Sequence, residues 1–133
     1  MEAPIRYWHS ISEVITIGKT IIVTQGDTLY KAIRLTTLDG RSYTLVSGDK
    51  ILFGIKERPF PAAPHIILKT LTENEFYDGR YILMLTAEET NITAKRYYYD
   101  CGIKMSDGSY QRIVKCSHFI VEPAVTLKGD VED

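Results

Sequence analysis

The chain has 133 residues, 16 basic against 17 acidic, with a hydrophobic fraction of 44% and a charged fraction of 25%. That is the size and make-up of one ordinary globular domain and excludes a collagen-like or disordered chain. A formal charge of -1, with no basic block, excludes the broad positive field that nonspecific nucleic-acid binding needs.

Residues 1–18, with Pro4, Trp8 and Gly18, read as an irregular N-terminal arm. The first ten residues hold Arg6, Trp8 and His9 where a secretory signal would hold an apolar run, so no signal peptide is expected. The longest apolar runs fall far short of a bilayer span, so no membrane insertion is expected either. Within the arm, Val14-Ile15-Thr16-Ile17 is a β-branched stretch able to pair with a sheet edge of its own chain or of another.

Thr20 to Gln25 is a β-branched run stopped by Gly26-Asp27, and Thr28 to Thr37 is a second strand with Leu29, Ile33 and Leu35 on one face. Asp39-Gly40 is a hairpin signal, followed by a short run from Ser42 to Val46. After Gly48-Asp49, the segment Lys50 to Lys56 alternates with Ile51, Phe53 and Ile55 facing inward. Residues 57–64 hold three prolines, which cannot donate to a ladder, so they form a loop. His65 to Thr70 and Arg80 to Leu85 are the next strands.

Thr86-Ala87-Glu88-Glu89 has the spacing of a capping box and predicts one short helical turn near residues 86–91, crossing between sheets. Lys95 to Met105 and Ser109 to Val121 form a last hairpin about Asp107-Gly108, with Ser106 opposite Ser109. That register sets Cys101 against Val114 and diagonal to Cys116, too far for a bridge, so both thiols are expected free. Residues 126–133 read as an acidic, frayed tail.

About seven short strands with turn signals every ten residues or so predict an all-β, antiparallel sandwich. The expected core includes Ile33, Leu35, Ile51, Phe53, Ile55, Leu83, Leu85, Tyr99, Ile103 and Phe119. Tyr99 stands two residues before Cys101, just after the crossover. In immunoglobulin-like sandwiches such a tyrosine buries its ring and returns its hydroxyl to nearby backbone. Tyr97 shares that face of the strand and competes for the role.

Chemistry-bearing groups are sparse. His9, His65 and His118 are isolated, and Cys116 with His118 supplies only two of the three or four ligands of a zinc site. Glu73/Glu75 and Glu88/Glu89 fall in connecting segments and read as solvated charges. No catalytic residue, cofactor or metal is therefore expected. The aromatics outside strand cores are better candidates for contact. Tyr7 and Trp8 in the arm, Phe60 in the proline loop and outward-facing Tyr98 are the expected interface residues. Phe60 and Phe76 can equally fold back to cap the ends of the sandwich.

One ordered set of residues carries a resemblance. It runs through Gly26-Asp27-Thr28, Asp39-Gly40, Tyr43-Thr44-Leu45, Gly48-Asp49-Lys50-Ile51-Leu52-Phe53, Glu89-Thr90, Tyr97-Tyr98-Tyr99-Asp100 and Asp107-Gly108, and ends in the strand to Phe119. In order and spacing it resembles the N-terminal domain of the phage baseplate upper protein family, also found in prophages of Gram-positive bacteria. The resemblance covers about residues 19–125. Ala94-Lys95-Arg96 stands where that family usually has a glycine ahead of the tyrosines.

The resemblance implies an immunoglobulin-like domain with a structural, non-enzymatic role in the tail tip or baseplate. It also implies synthesis in a bacterial cytoplasm, localisation in the virion and contacts with other tail proteins or further copies of itself. A carbohydrate-binding or adhesion module, with Tyr98, Trp8 or Phe60 as a sugar platform, is the alternative.

Overall fold

The computed structural model describes residues 11–15, 20–37 and 40–130. The fold is all-β. Its strands are β1 (Ile11–Ile15), β2 (Ile21–Thr24), β3 (Leu29–Thr37), β4 (Lys50–Lys56), β5 (His65–Leu71), β6 (Phe76–Tyr77), β7 (Arg80–Leu85), β8 (Arg96–Lys104) and β9 (Tyr110–Glu122). The only α-helix among the described residues is α1 (Ala87–Thr90), joined by single 3-10 turns at Glu73–Glu75 and Lys128–Asp130. No helix among the described residues is long and apolar enough to cross a membrane.

The strands form a four-stranded sheet, β1-β3-β7-β6, and a five-stranded sheet, β2-β9-β8-β4-β5. Buried positions recur mostly at every second residue along β4, β7 and β8, and the buried side chains of both sheets feed a single hydrophobic cluster. All ten residues expected in the core are buried there. Phe53 and Tyr99 meet inside it, ring centroids 5.2 Å apart.

Several expectations are corrected. The sheets are not wholly antiparallel, because β2 runs parallel to β9, with Ile21 beside Phe119 and Thr24 beside Glu122. Nine strands are present among the described residues rather than about seven. Part of the expected irregular arm is β1, which pairs in-chain with β3 from Ile11↔Thr37 to Ile15↔Ile33, while Thr16 and Ile17, the rest of the stretch expected to pair with a sheet edge, lie outside the described residues. The run Ser42 to Val46 makes no strand and keeps one bridge, Ser42 to Thr36. Instead the buried Leu45 donates its N–H to the Tyr81 hydroxyl at 2.6 Å. Within the expected tail, Lys128–Asp130 form a single 3-10 turn with the Leu127 N–H donating to the Asp130 carboxylate at 2.9 Å, and residues 131–133 lie outside the described residues.

The last hairpin is closed by three residues, Ser106-Asp107-Gly108, which sets Met105 opposite Ser109. Gly108, at φ +93°, takes the left-handed position that such a loop requires. A register irregularity near Cys101 then restores Cys101↔Val114. The two thiols are free, Cys101 buried and Cys116 exposed.

Two knots fix the loops. At α1 the capping box forms in both directions, Glu89 N–H to the Thr86 hydroxyl at 3.1 Å and Thr86 N–H to the Glu89 carboxylate at 2.8 Å. A second box, Thr72 with Glu75, was legible by the same spacing but not anticipated. The other knot is Asp49, whose carboxylate is fully buried. It accepts from Val46 N–H at 3.0 Å, Ser106 N–H at 2.9 Å and the Tyr43 hydroxyl at 3.3 Å. Segments far apart in sequence are thereby tied together.

Candidate functional site on the outer face of the five-stranded sheet

Tyrosines 97 to 99 divide between the faces of β8. Tyr97 and Tyr99 are each 2% exposed on the core side, while Tyr98 faces outward. Tyr97, rather than Tyr99, makes the hydrogen bond expected at the crossover, donating to the Thr93 carbonyl at 2.7 Å. Burial raises its phenol above the usual value, and Glu57 adds to the rise. Tyr99 packs against Phe53. The strand enters the sheet at Arg96, so Tyr97 lies one pair closer to the crossover backbone.

Of the expected contact residues, Tyr7 and Trp8 lie outside the described residues. Phe60 and Tyr98 line the same cleft, of about 480 Å³ on the outer face of β5, β4, β8 and β9, bordered by the proline loop. Phe60 is 58% exposed and does not fold back as a cap. The loop is held by Lys56, whose ammonium donates to the carbonyls of Phe60 at 3.1 Å and Pro61 at 2.9 Å. Phe76, the other aromatic considered as a cap, packs its ring on Tyr81 at 5.0 Å, yet stays partly exposed.

Strand pairing lays the outer face out in rows. One row is His65, Lys56, Tyr98 and His118; the next is Leu68, Gly54 and Asp100; the third is Leu52, Gly102 and Arg112. The glycines make the depression. At Gly54 a Cβ would come within 2.7 Å of the His65 imidazole, and at Gly102 it would collide with the Tyr110 phenol, which lies over the glycine in its place. An aromatic covering a strand glycine in this way stabilises the pleat and becomes the wall of a groove. These glycines, interrupting KILFGIK and RYYYDCGIK, were the missed signal, because a glycine inside a strand marks a close approach.

The polar groups are specific. The Arg112 guanidinium pairs with the Asp100 carboxylate at 2.9 Å and lies 5.3 Å from the Tyr110 ring centroid. Burial pushes the Tyr110 phenol above its ordinary value; Arg112 opposes the shift and Asp100 adds to it. Tyr98 leans on the His118 ring at 5.4 Å. Cys116 borders the same cleft. Among the described residues no three His, Cys, Asp or Glu side chains are grouped to hold a metal ion. Aromatic faces, one ion pair and extra cations are equipment for holding a ligand or partner by contact.

No protein-family model matches the sequence, and no curated protein matches it.

Proposed function

We propose that the chain is a virion structural or adaptor domain of a phage or prophage tail tip or baseplate, acting through contacts with other tail proteins or with further copies of itself. In this reading the two sheets are an immunoglobulin-like sandwich and Tyr97 is its tyrosine corner, with no catalytic step. The observation that carries it is the apolar margin at β5. This strand ends the five-stranded sheet, so one side of its backbone has no strand partner among the described residues. Ile66 and Leu68 stand exposed on it, and Phe60 borders the same cleft as Leu68. Exposed apolar side chains on an open strand edge suit docking by another protein.

The test is prophage induction in the strain that encodes the chain, followed by mass spectrometry of purified particles. The chain is expected at constant ratio to the tail proteins. Its recovery only from the particle-free lysate rejects the virion reading. A second reading, a carbohydrate-binding module, is favoured by one observation: Phe60 and Tyr98, distant in sequence, share a cleft with Tyr110 and the Arg112–Asp100 pair.

A further inference from the structure

We infer that the outer-face cleft is a binding site for a short acidic oligosaccharide lying across the strands. The inference rests on the carbohydrate reading and adds to it the ligand's charge and direction.

Direction follows from the register. Leu68, Gly54 and Asp100 lie side by side on three neighbouring strands, and Arg112 follows on the fourth. Three inter-strand spacings give a trough about 14 Å long, running across the strands. Over its floor the backbone of β4 is paired with β5 and β8, and that of β8 with β4 and, outside the register irregularity at Asp100, with β9, all within the plane of the sheet. A peptide laid there would find no backbone partners, and it would gain more by adding to the edge of β5. What the trough presents is side chains alone.

Those side chains match a sugar. A pyranose has apolar C–H faces and a rim of hydroxyls. Tyr98, Tyr110 and Phe60 supply aromatic surface, and the Arg112–Asp100 pair sets a fixed donor beside a fixed acceptor. Charge then selects among sugars. The charged groups at the cleft are Lys56, Arg58 and Arg112 against Asp100 alone, a local excess of cations on a chain whose net charge is -1. Lys56 and Arg112 are already held in place, by loop carbonyls and by Asp100, while Arg58 stands exposed at the rim. A carboxylated saccharide complements this arrangement, and a neutral one leaves the excess unanswered.

The experiment is amide NMR of the full chain titrated with trigalacturonate and 3′-sialyllactose, each beside its carboxylate methyl ester. Shifts are expected around Gly54, Gly102, Tyr98 and Arg112 with at least one of the acids, and binding about tenfold weaker for its ester. Arg58→Gln, on an exposed loop where the fold does not depend on it, is expected to weaken the acid and leave the ester unchanged. Tyr98→Ala is expected to weaken both. Equal binding of acid and ester overturns the charge selection while leaving a sugar site. Absence of shifts with every probe, or shifts confined to the outer edge of β5, overturns the saccharide site itself. Neither result bears on whether the chain is found in particles.

Discussion

Single hydrogen bonds decide much at the residue scale. Tyr97→Phe leaves the Thr93 carbonyl without its partner and is expected to cost about 1–2 kcal/mol in urea unfolding. Asp49→Ala strips acceptors from Val46 N–H and Ser106 N–H together, so a larger loss, about 3 kcal/mol, is expected by the same measurement. Three tyrosines also bear on stability at high pH. Burial raises the Tyr81 phenol; the Leu45 N–H opposes the shift, and Asp49 and Glu73 add to it. Tyr97 and Tyr110 are raised too, mainly by burial. A phenol that ionises less readily when folded gives stability that is complete below the unfolded value near 10 and is lost as pH climbs through the folded one. Thermal unfolding between about pH 9 and 11 should show that decline, and Tyr81→Phe should make it shallower. An unchanged slope would remove Tyr81 from the account. Alternation in the sequence put Tyr97 and Tyr99 on one buried face; which hydroxyl reaches the crossover depends on where the strand begins, which alternation does not encode.

Among the elements, those with strong local chemistry were the most legible. The Thr86–Glu89 box is written into four consecutive residues and forms as read. Thr86→Ala should cost about 1 kcal/mol, measured by the same unfolding curves, because the Glu89 N–H loses its cap. The β4 core positions were likewise plain from alternation. Long-range pairing was not. Nothing local to Ile21–Thr24 says that its neighbour is β9 or that the two run parallel, since a strand's sequence describes its faces and not its edges. The cleft was half legible. Phe60 and Tyr98 stood out as aromatics beyond the core, but their sharing one cleft depends on the β4–β8 register and on Gly54 and Gly102 making room. The β8–β9 hairpin adds a check on register. With Cys101 buried against Val114 and Cys116 exposed, a thiol reagent should label one cysteine in the native protein and both after unfolding without reductant. Failure of either to react after unfolding would mean a bridge and a different register.

For the whole molecule, β1 bears on association through the edge it covers. Paired in-chain with β3, it covers an edge that a chain starting at Lys19 would open. Light scattering should therefore find the shortened chain more associated than the full one, and thermal unfolding should find it less stable. If the full chain is the larger species and the shortened one a monomer, the N-terminal segment joins copies instead of closing its own sheet. The parallel pairing of β2 with β9 has a mechanical consequence. Tension applied between Thr20 and Pro123 pulls β2 by its first residue and β9 by its last, in opposite directions along two strands that point the same way. Every rung between them is sheared at once. Tension applied between Lys95 and Pro123 instead opens the antiparallel β8–β9 pair from its shared end, one rung after another. Single-molecule pulling from these two pairs of handles should give a higher rupture force for the first, so the domain is stiff along one axis and yields along another.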